Sequence, residues 1–284
     1  MYALRDVTAT IESIPLIAGS IMSKKLAGGI DALVLDVKTG NGAFMEEESR
    51  AIELARALVS IGNGVGRETI AFITGMDQPL GRMIGNWCEV VEAVECLRGG
   101  RAADLMEVTY VLGGAMTMLG GKAASIEEGM KLCHAAIWSG KAYEKFLQIV
   151  EMQGGDPSVI RELSRYPRPA ATVEAKSTCR GVVTLIRTKQ LGLLAAGLGA
   201  GRRTVGDALD HKAGIELLKK LGDRVEAGEP LAILFGDRGG ALERGAAGFV
   251  DCIEIGEHAG PVLPAVRACV DRNGVKPWST PPLF

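Results

Sequence analysis

Two apolar runs flanking one amphipathic segment constrain this chain more than any other feature. Asp31-Ala-Leu-Val-Leu-Asp-Val37 and Thr69-Ile-Ala-Phe-Ile-Thr74 are close to continuously apolar. Runs of that kind read as strands buried on both faces of a parallel sheet. Between them, Glu46–Gly62 has the pattern of an amphipathic helix, with acidic residues at its start where the helix dipole favours negative charge. Strand, helix, strand at this spacing predicts a right-handed crossover unit.

Further helical segments follow at Asn86–Leu97, Asp104–Leu119, Ser125–Ser139 and Ala142–Gln153, punctuated by Gly-Gly pairs at 99–100, 113–114 and 120–121. The stretch from Gly154 to Pro169 changes character. It holds Gly-Gly-Asp-Pro and Tyr-Pro-Arg-Pro, and it reads as a linker. Short β-like runs at Gly181–Thr188, Arg224–Val225 and Leu231–Phe235 then alternate with helical pieces near Gln190–Leu198 and Arg238–Ala247. The expected fold is α/β: a parallel-sheet α/β domain with flanking helices, followed by a smaller α+β C-terminal domain. The expected division is a helical segment at 1–28, the α/β domain at 29–153, a linker at 154–175 and the C-terminal domain at 176–284.

With 284 residues the chain has room for one large or two modest domains. Its 47% hydrophobic and 23% charged residues are ordinary for a globular protein, and a net charge of -2 gives no reason to expect nucleic acid. The six cysteines, at 88, 96, 133, 179, 252 and 269, contain no Cys-x-x-Cys pair, so reduced and mostly buried thiols are expected. Met1-Tyr2 followed by Arg5-Asp6 lacks the hydrophobic core of a leader, and no long apolar run occurs, which points to a cytoplasmic protein with no membrane partner.

The chemistry concentrates in the first twenty-five residues, Met1 to Lys25. Arg5 stands in a polar run rich in threonine. Ser13 and Pro15 open an apolar helix, as an N-cap and a first-turn proline would. Ser20 and Lys24 are four residues apart on it and share one face. Taken alone, such a pair is usually a solvated face. With a guanidinium upstream it can also be a set of donors suited to a planar ring whose carbonyl oxygens gain negative charge. Because the cluster begins at residue one, the expectation is a chain that starts inside a site.

The string YALRDVTATIESIPLIAGSIMSKK, followed by DALVLDVKTGNGAFM, strongly resembles the pyrimidine-nucleoside phosphorylases and their thymidine phosphorylase relatives. The likeness continues through MDQPLGRMIGNWCEVVEAVECL, AGLGAGRRT and KKLGDRVEAGEPLAIL, and so covers nearly all of the chain. It leans toward the broad-specificity enzymes. It also implies a further segment ahead of this one, with a Lys-His-Ser-Thr-Gly-Gly run that cradles phosphate. No such run occurs here, so the chain resembles the C-terminal two thirds of a phosphorylase. The family's active-site histidine belongs to that other segment.

The resemblance implies that Arg5, Ser20 and Lys24 hold the pyrimidine base, with Arg5 and Lys24 as the catalytic pair. Breaking the glycosidic C–N bond expels a pyrimidine anion, and charge grows on the ring carbonyl oxygens. Donors aimed at those oxygens stabilise the transition state most, each by about 2.7–4 kcal/mol on the analogy of a lost oxyanion donor. Arg suits this through its directed, permanently charged fork, and Ser20 can read the ring N3–H or a carbonyl. Tyr2 either stacks on the base or is a structural aromatic.

The turn Asp36-Val-Lys38-Thr-Gly-Asn-Gly42 follows a strand, where open α/β sheets bind ligands. It matches neither the Walker pattern nor GxGxxG, so a tight turn is the stronger reading of the residues. The resemblance puts Lys38 near the sugar-phosphate side of the cleft. It further implies a structural potassium ion on the backbone carbonyls of Leu80 and Met83 and the carboxylate of Glu92, with its other ligands in the segment ahead. Oxygen ligands of that kind suit a large monovalent cation, and the plain alternative for Glu92 is a helix-surface or helix-pairing acid. The family also implies a homodimer acting in nucleoside salvage, with pyrimidine nucleoside and phosphate as partners and no organic cofactor.

Gly222-Asp-Arg-Val-Glu-Ala-Gly228-Glu-Pro-Leu is a hairpin signature that also resembles half of a lipoyl or biotinyl carrier domain. Its next turn, Phe235-Gly-Asp-Arg238, has no lysine to modify, so a scaffold is expected. His134, His211 and His258 have no metal-like neighbour at short spacing; His134 reads as structural and His211 as exposed. Two readings compete with catalysis. One is a truncated or split product that folds and binds at most a pyrimidine. The other is a phosphoribosyltransferase, for which the sequence offers no acidic metal motif.

Overall fold

The computed structural model describes residues 13–100, 102–202 and 207–281. In chain order, the elements up to residue 161 are α1 (Ile14–Ala27), β1 (Ala32–Thr39), α2 (Glu48–Gly64), β2 (Glu68–Gly75), β3 (Met83–Gly85), α3 (Trp87–Leu97), α4 (Ala103–Leu119), α5 (Ile126–Trp138), α6 (Lys141–Met152) and α7 (Pro157–Arg161). Then come β4 (Ala171–Lys176), β5 (Gly181–Ile186), α8 (Thr188–Leu198), β6 (Gly214–Leu217), β7 (Arg224–Val225), β8 (Pro230–Gly236), α9 (Gly239–Asp251), β9 (Ile253–Gly256), β10 (Val266–Asp271) and β11 (Gly274–Pro277). They fall into two compact units that interleave along the chain. The first is drawn from residues 1–76, 107–135 and 263–284, the second from 77–106 and 136–262.

The first unit carries the predicted crossover. β1 and β2 pair in parallel, from Ala32↔Glu68 to Thr39↔Gly75, with α2 between them in sequence. The sheet order is β1-β2-β10-β11, and the last two strands are antiparallel additions. The architecture is therefore α/β as expected, with a mixed sheet around one parallel pair. β2 is buried along six successive residues, Thr69–Thr74. β1 departs from the expected two-sided burial: it is half-buried and Asp36 is exposed. The reason is position, since β1 is the outer strand of this sheet among the described residues and β2 lies inside it.

One face of the sheet is sealed by helices. Val37, Ala71 and Ile73 pack with Leu54, Ala55 and Leu58 of α2 and with Ile14, Ala18 and Met22 of α1. The 14, 18, 22 spacing is one stripe of a helix, and burying a side chain such as Met22 is worth about 1.5–3 kcal/mol. α4 and α5 approach until a Cβ on Gly129 would lie 2.3 Å from the Gly114 carbonyl oxygen, which explains the glycines in those otherwise regular helices.

The second unit is built on antiparallel sheets of order β3-β6-β8-β4 and β7-β5-β9, around a core that includes Ile215, Leu217, Leu234, Leu198 and Phe249. The stretch expected to be a linker is part of this unit. Asp156 caps α7 by accepting from the Ser158 N–H at 2.8 Å, Ile160 is buried, and the Arg98 guanidinium binds the carbonyls of Ile160 and Arg161. Pro and Gly here mark tight turns of a packed segment. The C-terminal residues also depart from the consecutive division: β10 and β11 join the sheet of the first unit. Strand pairing ignores order along the chain, and a composition shift cannot register it.

Candidate functional site

α1 forms where the sequence places it. Pro15 lies in its first turn, and the Ile17 N–H reaches the Ser13 carbonyl at 2.9 Å. Ser13 occupies the N-cap without a side-chain capping bond. The helix ends at Gly28-Gly29, the latter at φ 71°. With Ile14, Ala18 and Met22 turned into the core, the 100° step per residue puts Leu16, Ser20 and Lys24 on a roughly opposite stripe. Leu16 is 49% exposed, Ser20 is half-buried and Lys24 is exposed. A hydroxyl and an ammonium thus share a surface with an apolar side chain. Tyr2 and Arg5 lie outside the described residues, so the structure brings together two members of the expected donor cluster.

Lys38 is the next-to-last residue of β1 and not in the loop. Its ammonium donates to Asp36 Oδ2 at 2.6 Å and to Thr74 Oγ1 at 2.9 Å, and Thr74 Oγ1 also bonds Asp36. The register Lys38↔Thr74 puts these side chains on one face at the C-terminal ends of the parallel strands, the edge where α/β sheets bind ligands. The glycine-rich turn beyond is closed by its own backbone. Gly40 N–H goes to Glu46 O at 3.1 Å, Gly42 N–H to Met76 O at 3.0 Å, and Ala43 N–H to Gly40 O at 2.9 Å. These donors are spent on protein carbonyls, as in a tight turn, and do not form a phosphate cradle.

The Pro79–Met83 loop belongs to the second unit and is held by charged side chains. Glu92, on α3, is 9% exposed and accepts from the N–H groups of Arg82 at 2.7 Å and Met83 at 3.4 Å. It is therefore a buried organiser of the loop and not a surface acid. Gly81 adopts φ +69°, and a Cβ there would lie 2.3 Å from Glu92 Oε2, so only glycine leaves room for the carboxylate. Leu80 and Met83 supply main-chain carbonyls to the same loop. An ionised carboxylate has acceptor capacity beyond two N–H bonds, and Gly81 lets this one lie directly against the loop backbone. Carboxylate and carbonyl oxygens are the ligand type that a large monovalent cation takes.

Sequence reading missed two residues here. Lys220 donates to the carbonyl oxygens of Pro79 at 2.5 Å and Gly81 at 2.6 Å and to Asp104 Oδ2 at 2.7 Å. Asp104 Oδ1 in turn accepts from the Gly81 N–H at 3.3 Å. Lys219-Lys220 in a turn reads as solvated charge, and acceptors that are main-chain carbonyls leave no side-chain pattern to find. Among the described residues, no three His, Cys, Asp or Glu side chains gather as a metal site.

His134 is half-buried against the Tyr110 ring, 5.8 Å between centroids, and burial pulls its pKa down. His211 and His258 are exposed. All six thiols are free; Cys88, Cys96 and Cys252 are buried, and Cys179 is exposed. No described helix is long and apolar enough to cross a membrane.

Comparison with known proteins bears on these features together. Residues 1–143 match the family described as "Glycosyl transferase family, a/b domain", and residues 182–256 match "Pyrimidine nucleoside phosphorylase C-terminal domain". Over 238 residues the chain is 50% identical to the pyrimidine-nucleoside phosphorylase of Bacillus subtilis (strain 168) and 49% identical to that of Staphylococcus haemolyticus (strain JCSC1435). It is 50% identical to the same enzyme of Staphylococcus aureus (strain USA300). Each alignment takes in 84% of this chain and 55% of the relative, so the chain spans about half the length of the curated relatives it matches.

Proposed function

Because the chain belongs to the pyrimidine-nucleoside phosphorylase family, we propose that it supplies the base-binding side of a pyrimidine nucleoside phosphorolysis. Uridine, thymidine or deoxyuridine reacts with phosphate to give the free base and a pentose 1-phosphate. Phosphate attacks the anomeric carbon as the glycosidic C–N bond breaks, and the bonding pair leaves with the base. Lys24 and Arg5 stabilise the charge that develops on the ring carbonyl oxygens, and Ser20 reads N3–H or a carbonyl. Leu16 offers an apolar contact on the same stripe of α1, and Tyr2 is an aromatic candidate to stack on the ring. Lys38, steadied by Asp36 and Thr74, presents positive charge toward the sugar-phosphate side.

The observation that carries this reading is the stripe of α1. An apolar helix seats its other face in the core and turns a hydroxyl and an ammonium, one turn apart, outward. The carbonyls of Leu80 and Met83 with the Glu92 carboxylate would hold a potassium ion, which supplies structural charge balance and takes no part in bond making. A cytoplasmic homodimer is the assembly the family favours.

A second reading starts from the 55% of each relative that this chain spans: the sequence given binds a base, phosphate is bound by residues outside it, and by itself it turns no nucleoside over. Calorimetry with uracil and with inorganic phosphate, run separately, tests both readings. Binding of uracil that Lys24→Ala abolishes supports the base site, and absence of uracil binding refutes it. Phosphorolysis by the chain alone refutes the second reading. Phosphorolysis that appears only when a relative's N-terminal segment is added in trans supports the division of labour.

A further inference from the structure

We propose that Lys220 is the positioning residue of the Pro79–Met83 loop, a tethered ammonium whose grip on two of its carbonyls fixes the others for a monovalent cation. The inference rests on the cation reading given above and adds a residue that the reading does not contain.

Gly81 carries the argument, because it is held on every side. Its N–H donates to Asp104 Oδ1 at 3.3 Å, its carbonyl accepts from Lys220 at 2.6 Å, and its α-carbon leaves space for the Glu92 carboxylate. The neighbouring groups are engaged too. Pro79 O accepts from Lys220, the Arg82 and Met83 N–H groups go to Glu92, and Arg82 O accepts from the Leu217 N–H at 2.8 Å. The Arg82 guanidinium donates to the carbonyls of Leu217 and Leu218, and the Gln78 side chain accepts from the Leu221 N–H at 3.0 Å. The loop is thus stitched to the turn that carries Lys220.

The chemistry of the grip is that of a cation site. An ammonium is a compact charge with three donors, and Lys220 satisfies them with two main-chain carbonyls and a carboxylate while its side chain is 13% exposed. Desolvating an amine is tolerated only where its partners are this complete. Lys220 takes the carbonyls of Pro79 and Gly81, and not those of Leu80 and Met83, the two that the cation needs. A covalently held cation and a dissociable one therefore divide the carbonyls of one short loop. Fixing the first pair removes conformational freedom that ion binding would otherwise have to remove.

The test compares the 284-residue chain with Lys220→Met and Asp104→Asn. Two quantities are read: hydrogen–deuterium exchange at the Arg82 and Met83 amides, and the melting temperature against KCl at ionic strength held constant with choline chloride. The expectation for Lys220→Met is exchange at both amides raised at least tenfold with β8 amides unchanged, and a half-saturating potassium concentration raised at least tenfold. Asp104→Asn shows the same changes at roughly threefold. A wild-type potassium response that Lys220→Met leaves unaltered overturns the inference and leaves the cation reading standing. A wild-type melt indifferent to potassium overturns the cation reading and this inference with it, even where exchange rises. Should Lys220→Met fail to fold, Asp104→Asn decides: exchange and potassium midpoint both at wild-type values overturn the proposal.

Discussion

Lys24 on α1 and Lys220 ahead of β7 carry the same ammonium and meet opposite surroundings. Lys24 is exposed on a helix whose other face is buried. Lys220 is largely buried, with its donors spent on two carbonyls and a carboxylate. A cation on the outward stripe of a helix lies away from the core. A cation consumed by its own backbone holds a shape. Side-chain spacing finds the first kind, because helical periodicity puts Ser20 and Lys24 on one face. It cannot find the second, two of whose three partners are peptide carbonyls that any residue could bring.

This contrast can be broken experimentally, most severely at Lys24. Lys24→Ala in an active assembly containing this chain should lower kcat/KM by about 10²–10³, or 2.7–4 kcal/mol of transition-state stabilisation. Its melting temperature should stay at the wild-type value. Steady-state phosphorolysis and a thermal melt check the pair of outcomes, and a wild-type rate would remove Lys24 from the chemistry. Lys220→Met should show the reverse emphasis. It leaves Asp104 and two carbonyls without their cation, at a cost of about 3 kcal/mol in stability, measured by urea unfolding.

Gly81→Ala should cost about 2 kcal/mol or more by the same urea measurement. The positive φ alone is unfavourable by about 1–2 kcal/mol for an alanine, and the added Cβ would meet Glu92 Oε2 at 2.3 Å. A neutral outcome would mean that the loop is not held as described. The effect at Cys88 is absent at neutral pH and confined to the alkaline range. Burial, with Glu89 adding, pushes its thiol up to about 12 from 9.0. The folded state keeps this proton while the unfolded chain releases it from pH 9 upward. Stability is therefore unaffected below pH 9 and falls as pH rises from 9 toward 12, by about 1.4 kcal/mol per pH unit. Denaturant midpoints for Cys88→Ala, compared with wild type across that range, should show a shallower alkaline decline.

Local pattern carried much of the fold. The crossover of β1, α2 and β2 follows from two apolar runs and an amphipathic period, because burial on a sheet and on a helix face each imposes its own repeat. The start of α1 was legible for a similar reason: proline fits a first helical turn, and Gly28-Gly29 ends the helix. The stretch 154–175 was misread because Pro and Gly report turns and do not report whether the turns are packed. β10 and β11 escaped altogether, since joining the sheet beside β2 is a pairing across nearly two hundred residues.

The candidate site divides along the same line. Sequence by itself determined that Ser20 and Lys24 share one stripe of α1, because residue type and helical spacing are local properties; the expected roles of that stripe and of Leu80, Met83 and Glu92 come from the family resemblance. Only the tertiary structure decided that Glu92 is buried under two amides. It alone showed Lys38 held by Asp36 and Thr74, and Lys220 reaching back to Pro79 and Gly81. The physical reason is that a buried charge must find its partners wherever the packed chain supplies them, and several of these, such as Thr74, Pro79, Gly81 and Asp104, are remote in sequence from the charge they meet.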